Sequence, residues 1–350
     1  MFDLSFVIIG KNAAWSIDRL LASITTLRPS QLLTDLVYVD SASTDNTIDI
    51  VERYDATILR LEAGQPLCAS AGRWVGCRHS TGKYVLFVDS DMELQPGFID
   101  KALIALENDA TIAAVTGSLI DINVNAKPHE VPPTTDYPAA DGSRLTDVKY
   151  AGNAAIFRRS VLEQVGSWNP YIISDEEPEL CLRIRHAGYR VVRLNTCACR
   201  HYTIPKGTMT WLVRRRRVRL FVGYGQTLRY CVKNKLLLPY LRERGYCLAG
   251  LMAILLAAAS GISSCMLKSV TPLAGYCGLM SIAFVLDAIR VGSVSGAIFH
   301  AVHRSFILEG TIRGVFMRAP DPDEYVPTIT VWSSAPSVTY GTLPLRKKAL

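Results

Sequence analysis

The sequence lacks any cysteine pattern that would staple it or hold zinc. Its nine cysteines are scattered, and the closest pair, Cys197 and Cys199, has one residue between and no second pair to complete a zinc or redox spacing. An odd count without such spacing excludes a disulfide framework and implies reduced thiols in the cytosol. The start, Met1-Phe2-Asp3-Leu4, lacks a charged stretch followed by an apolar one. No cleaved signal peptide is therefore expected, and the first domain is expected to stay cytoplasmic. There is no internal repeat and no low-complexity tract, which sets aside solenoids and disordered arrays. Acids are nearly missing from Lys206 to Arg244, where eleven Lys/Arg face Glu243 alone, so the net +7 resides there and the rest of the chain sits at about −3. Neither stacking aromatics nor a groove-reading motif accompanies this block, and an apolar segment follows it. Anionic lipid headgroups are thus favoured as its partner over nucleic acid, which is not expected to bind.

What is present is a chain of 350 residues, 49% hydrophobic, with the apolar surplus concentrated after position 245. Phe6 to Ile9 is a short apolar run ending at Gly10, followed by Ile17, Leu20, Leu21 and Ile24 at helical spacing. Leu36 to Val39 is a second strand, Asp45-Asn46-Thr47 a cap for the helix carrying Ile48 and Val51, and Ile58 to Leu61 a third strand. This βαβαβ order is the grammar of a parallel sheet. Tyr84 to Val88, five apolar residues, is a buried fourth strand that stops at Asp89. A helix through Phe98 to Leu106, a strand at Ile112 to Val115, a short helix near Ser160 to Val165, a helix starting at Asp175 to Glu179 and a strand at Tyr189 to Leu194 follow. Pro128 to Pro138 reads as a loop, a candidate lid.

Open α/β sheets place their chemistry at the carboxyl ends of strands. Asp89-Ser90-Asp91 stands at such an end, and two carboxylates one residue apart can offer hard oxygen ligands to one cation while leaving positions for a diphosphate. The bland alternative for the triplet is a turn or a helix cap. Upstream, Asp40 and Ser41 end the second strand in a hydroxyl-rich turn. Asp40 can accept from a nucleobase or ribose, and the N–H groups of the helix start favour anions. Trp168-Asn169 after Gly166 offers an aromatic wall for an acceptor sugar or, equally, core packing.

These motifs resemble the family 2 glycosyltransferases. The resemblance rests on Ser5 to Gly10, Val39 to Thr47, Ser70-Ala71-Gly72-Arg73 through Gly76, Gly82 to Asp91, Gly152-Asn153 and Arg158-Arg159, and covers roughly residues 4 to 203. It implies a GT-A fold with a Rossmann-like, mostly parallel sheet, a nucleotide-sugar donor, a divalent cation and inversion at the anomeric carbon. By position, Asp40 matches the nucleoside binder, Arg73 a basic residue of the donor pocket, and Asp89 and Asp91 the metal pair. His201 matches a further metal or diphosphate contact. That mixed ligand set suits Mn²⁺ somewhat better than Mg²⁺. In the cluster Asp175-Glu176-Glu177-Pro178-Glu179, Arg183 sets the register and places Glu177 where the family's catalytic Asp sits; Glu176 and Asp175 remain alternative bases. Pro178 in the first helical turn places Glu177 near the positive helix end, which favours its ionised form.

After residue 205, taken as the end of the catalytic domain, a basic interfacial segment (206–245) leads into Tyr246 to Leu267, 22 residues without formal charge, and Ser269 to Leu286, a further 18, separated by Lys268. About 20 apolar residues cross a bilayer, so a spanning hairpin and a pair of interfacial or re-entrant helices are both open. Arginines on either side place both ends in the cytosol. Residues 290–350 read as an amphipathic and irregular tail. Arg214 to Arg217 form a solvated face beside lipid, with Arg217 a candidate for a phosphate on a lipid-linked acceptor. The Gln-x-x-Arg-Trp motif of processive synthases is absent, which favours addition of one sugar to a lipid-linked or glycan acceptor. A nucleotidyltransferase and a catalytically silent membrane scaffold are the competing readings, and the sequence sets no oligomeric state.

Overall fold

The computed structural model of the chain describes residues 3–125, 144–152, 154–204, 206–318 and 320–333. Among the described residues ten strands form one sheet: β1 (Leu4–Gly10), β2 (Thr34–Asp40), β3 (Thr57–Leu61), β4 (Tyr84–Asp89), β5 (Met92–Leu94), β6 (Ile112–Asn123), β7 (Leu145–Asp147), β8 (Ala155–Arg158), β9 (Arg190–Thr203) and β10 (Ile329–Ser333). Their order is β10-β3-β2-β1-β4-β8-β6-β9-β5, with β7 on β9. β1, β2, β3 and β4 run parallel, whereas β8 lies antiparallel between β4 and β6.

The strands form where apolar runs make burial on both faces favourable. One face is covered by α1 (Ile17–Leu27), α2 (Thr47–Val51) and α4 (Phe98–Asn108). In α1, Ile17, Leu20, Leu21 and Ile24 share the buried stripe that their spacing anticipates. The other face is covered by α3 (Ala69–His79), α5 (Arg159–Val165) and α6 (Glu176–His186). The chain leaves β1 for β2 on one side and returns to β4 on the other. In register, Gly10 pairs with Asp40 and Ile9 with Asp89, so both acids flank the carboxyl end of β1 at a topological switch point.

Beyond the sheet come α7 (Met209–Arg217), α8 (Gly223–Lys233), α9 (Leu237–Arg244), α10 (Ala249–Met266), α11 (Thr271–Val291) and α12 (Val294–Phe316). Leu182 of α6 shares a core with Leu212, Phe221, Tyr240 and Ile307, and Arg185 forks onto Glu243 of α9 at 2.6 and 2.9 Å. The helical region after the sheet therefore packs directly onto α6. α10 and α11 bury no residue and are long and apolar enough to cross a membrane.

The last segment differs from the irregular tail expected for 290–350. α12 returns onto α8, and β10 pairs antiparallel with β3 at the sheet edge. Tyr325 lies edge-on to Trp74 and Tyr171 at 5.1 and 5.5 Å. Neither feature was legible because α12 carries its contact surface as glycines, and an edge strand finds its partner about 270 residues away. Residues 334–350 and the candidate lid at Pro128 to Pro138 lie outside the described residues, as does Asn153.

At the α8–α12 crossing the backbones touch through Gly225, Gly310 and Gly314. A Cβ at Gly314 would collide with the Val222 carbonyl oxygen, and one at Gly310 with that of Phe221. Gly314→Val is expected to cost about 1–3 kcal/mol through overpacking. Gly261→Val, on α10 where nothing lies within 4 Å, should leave the thermal midpoint in detergent unchanged. Equal midpoints for the two variants would contradict this account of the crossing.

Candidate active site

Asp40 is wholly buried at the end of β2. Its Oδ2 accepts from the Ser43 N–H at 2.9 Å and faces Arg60 at 3.8 Å, while Oδ1 is buried with no partner. A buried acceptor without a donor carries a desolvation cost that a ligand donor would remove. Ser41 donates its N–H to the Gly10 carbonyl, and Ala42 takes a positive φ of 57°. Asn46, at the start of α2, makes no side-chain cap, and the residues around it bond to the β1 turn instead: Ser43 Oγ accepts from Asn12 N, Thr47 Oγ1 from Ala13 N, and Asp45 Oδ2 from Ala14 N. They lock the β1 and β2 turns together.

Asp89 closes β4, and Ser90 continues the strand's last contact by donating its N–H to Ile9. Asp89 Oδ1 accepts from Arg73 at 2.8 Å. Burial raises the Asp89 carboxyl above its usual range, with Arg73 opposing and Asp91 and Glu176 adding to the rise. Asp91 Oδ2 lies 3.3 Å from His201 Nε2, and Asp91 Oδ1 is buried and unpartnered.

His201 sits within β9, which runs on to Thr203 instead of stopping near Leu194, and it is in register with Met92 and Asp121. Its Nδ1 meets Asp121 at 2.7 Å, and Asp121 in turn holds Lys206 at 2.6 Å. Burial alone would push this imidazole down, but Asp91 and Asp121 together hold it above its ordinary value. Asp121 escaped sequence reasoning, since its place depends on the pairing of β6 with β9.

Among the described residues no three His, Cys, Asp or Glu side chains form a ready-made cation cage. The donor set nonetheless fits a divalent ion. Asp91 offers an orphaned carboxylate oxygen and Asp89 a second carboxylate on the same strand end. Ions of the Mg²⁺ type are commonly held by one or two carboxylates completed by substrate phosphates.

Arg73 joins the two acidic clusters. It is 3% exposed and meets Asp89 at 2.8 Å, Glu176 at 2.7 Å and Glu177 at 3.6 Å, the last two from residues more than a hundred positions away. Trp168 lies under it, 5.0 Å from ring centroid to guanidinium, and packs edge-on to Phe87 and Phe157. At 2% exposure Trp168 takes the core alternative and not that of an acceptor wall, because its ring fills the space between sheet and α6. Asn169 is also inside: its carbonyl accepts from Ser70 Oγ at 2.6 Å and its Oδ1 from Tyr171 N at 3.1 Å.

The second cluster starts α6. Asp175, in left-handed conformation with φ 67°, is held by Arg244 at 3.1 Å and by the Tyr240 hydroxyl at 3.4 Å. Glu176 is held by Arg73. The Glu177 carboxylate makes no hydrogen bond among the described residues, and its ion pair is the 3.6 Å approach to that same guanidinium. Burial lifts the Glu177 carboxyl to about 7, with Arg73 opposing and Glu176 adding. Asp175 is lifted by burial to about 7 as well, with Arg244 opposing. The helix N-terminus, expected to keep Glu177 readily ionised, is thus outweighed by desolvation. The preceding loop is placed from the C-terminal region: Gln226 of α8 accepts from Ile173 N and donates to the Tyr171 carbonyl.

The acids open onto a cavity of about 230 Å³, whose other walls include Tyr150, Arg215, Tyr224 and Arg244. Arg217, the expected phosphate contact, points into solvent. The arginine that reaches the cavity is two positions earlier, a shift that swings a side chain to the opposite face of a helix.

Residues 5–166 match the sequence model of glycosyl transferase family 2. Over 185 residues the chain is 24% identical to the O-antigen chain rhamnosyltransferase WbaN of Salmonella anatum, a match covering 50% of this chain and 58% of the relative. Over 82 residues it is 34% identical to YibD, an uncharacterized glycosyltransferase of Escherichia coli K12, covering 23% of this chain and 24% of that one. The mannosyltransferase PcManGT of Pyrobaculum calidifontis, solved with GDP-Man and Mn²⁺, superposes with a TM-score of 0.57 at 18% identity over 90% of this chain and 87% of its own. The fold is GT-A.

Proposed function

We propose that the chain is an inverting glycosyltransferase. It moves one sugar from a nucleotide-sugar to a lipid-linked or glycan acceptor at the cytoplasmic face of a membrane. The observation that carries this reading is the buried Arg73, which binds the strand-end carboxylate Asp89 and the helix-start carboxylates Glu176 and Glu177 into one site. A donor diphosphate site and a candidate base then lie side by side.

Asp40, with its unpartnered Oδ1, receives the nucleoside, and the Asp89–Asp91 pair with His201 faces the diphosphate. Bound there, Mn²⁺ or Mg²⁺ supplies neutralisation of the charge that grows on the departing phosphate. Glu177 accepts the acceptor hydroxyl's proton as that oxygen bonds to the anomeric carbon from the face opposite the breaking bond to phosphate. The orientation of α10 and α11 follows from the arginines that flank them, and the exposed Arg214, Arg216 and Arg217 of α7 suit anionic lipid. The likeness to an O-antigen rhamnosyltransferase and to a mannosyltransferase solved with GDP-Man and Mn²⁺ supports sugar transfer with a cation.

The test is release of nucleoside diphosphate from a panel of nucleotide-sugars by the full chain in detergent, with Mn²⁺, Mg²⁺ or chelator. Cation-dependent release is expected, and Asp91→Asn should raise the cation concentration needed by at least about tenfold. Pyrophosphate as the product would mark a nucleotidyltransferase, and no donor turnover a silent scaffold. Unchanged cation dependence in Asp91→Asn would remove the metal assignment.

A further inference from the structure

The cavity beside Glu177 holds a cation that sugar transfer as described does not use. Arg215 projects from α7 with its guanidinium over the rings of Trp211 and Phe221 at 4.9 and 5.8 Å. It forms no hydrogen bond or ion pair among the described residues, and its Nε is buried without a partner. Desolvation works against this charge, and Glu176 is the carboxylate that opposes the effect. An arginine stays charged regardless, so a desolvated guanidinium without a bonded anion is a cost that a ligand anion would recover.

Across the same cavity stands Arg244, whose only carboxylate partner among the described residues is Asp175. Asp175 is paired with Arg244, Glu176 is taken up by Arg73, and burial pushes the Asp175 and Glu177 carboxyls toward their neutral forms. The cavity is therefore far less negative than three carboxylates suggest, and an anion can enter beside the two guanidinium groups. Arg244 is also the last residue of α9, and the exposed apolar α10 begins five residues later at Ala249. An anion held here lies at the root of the hairpin, within reach of a molecule whose chain is embedded in lipid.

We propose that Arg215 and Arg244 form a subsite for the phosphate or diphosphate of the acceptor, which makes the acceptor a lipid-linked phosphate and not a neutral glycan. The subsite rests on the sugar-transfer reading for its purpose. Arginine forks bind phosphate oxygens in pairs, which fixes the position of the head group as well as its charge. The acceptor's sugar hydroxyl is thereby presented to Glu177, in the same cavity. The donor diphosphate belongs to the Asp89 side of Arg73, so the two phosphates occupy separate places.

The full chain in neutral detergent is titrated calorimetrically with farnesyl diphosphate, inorganic pyrophosphate and farnesol. Farnesyl diphosphate is expected to bind, pyrophosphate to compete more weakly, and farnesol not to bind. Arg215→Gln should weaken farnesyl diphosphate by at least about tenfold and leave nucleoside diphosphate affinity unchanged, with Arg215→Lys between the two. Farnesol binding as tightly as the diphosphate, or an unchanged affinity in a folded Arg215→Gln chain, overturns the subsite. Pyrophosphate binding as tightly as the prenyl compound makes it a free-phosphate site and overturns the lipid acceptor. Farnesyl diphosphate binding that depends on Arg215 in a chain releasing no nucleoside diphosphate from any donor would instead locate the failure in the sugar-transfer reading.

Discussion

Glu177→Gln is expected to lower kcat for sugar transfer by about 10²–10⁴-fold while donor affinity changes little, because the variant keeps the shape and loses the proton acceptor. Three acids stand at the start of α6, and their partners separate them. Asp175 is tied to Arg244 and Tyr240, and Glu176 to Arg73 at 2.7 Å. Glu177 is held by charge alone at 3.6 Å, and burial lifts it to about 7, where a base both accepts a proton readily and is ionised often enough to act. The rate should therefore rise with pH through an acid limb centred near 7. The same shift has an opposite sign for stability. Between the ordinary carboxyl range and about 7 the folded chain binds more protons than the unfolded one, so stability falls as pH rises across that window. Glu177→Gln should flatten part of this decline. Thermal midpoints and turnover from pH 4.5 to 8 check both effects, and undiminished turnover in Glu177→Gln with loss in Glu176→Gln would move the base by one residue.

Arg73→Met should be the most destabilising exchange in the site, costing about 3–5 kcal/mol, because it strands buried carboxylates that now share one cation. Arg73 is 3% exposed and bonds Asp89 and Glu176 directly, so methionine fills the space without replacing either bond. The penalty comes from the ionised acids and should shrink on acidification, as they take up protons and need no cation. Arg73→Lys should fall between native and methionine, since one ammonium cannot reproduce a planar fork reaching two acids in different directions. Denaturant unfolding of the full chain in detergent at pH 5 and pH 8 separates these outcomes. A variant within about 0.5 kcal/mol of native at pH 8 would show that the carboxylates are neutral already.

Much of the sheet was legible because its evidence is local. An apolar run that stops at an acid, as in Tyr84 to Asp89, carries both its burial and its end in consecutive residues. So does the stripe of Ile17, Leu20, Leu21 and Ile24. The short strands Met92–Leu94 and Leu145–Asp147 were not legible, since three residues have no periodicity to read and exist through pairing with β9. Trp168 stayed open between wall and core for a related reason: an aromatic after a glycine looks the same whether the space behind it is solvent or the underside of Arg73.

From residue types and their order, the chain alone determined a parallel α/β core, two acidic clusters, a basic stretch and two apolar helices. These are properties of segments, set by hydrophobic period and by charge along the chain. Tertiary structure decided which of the charges meet. It placed Arg73 between Asp89 and Glu176, 16 and 103 positions away along the chain, and His201 between Asp91 and Asp121. It also turned Arg215, and not Arg217, toward the acids. Those choices follow from strand order and helix phase, and electrostatic energy in a desolvated site depends on ångström distances that sequence spacing does not carry.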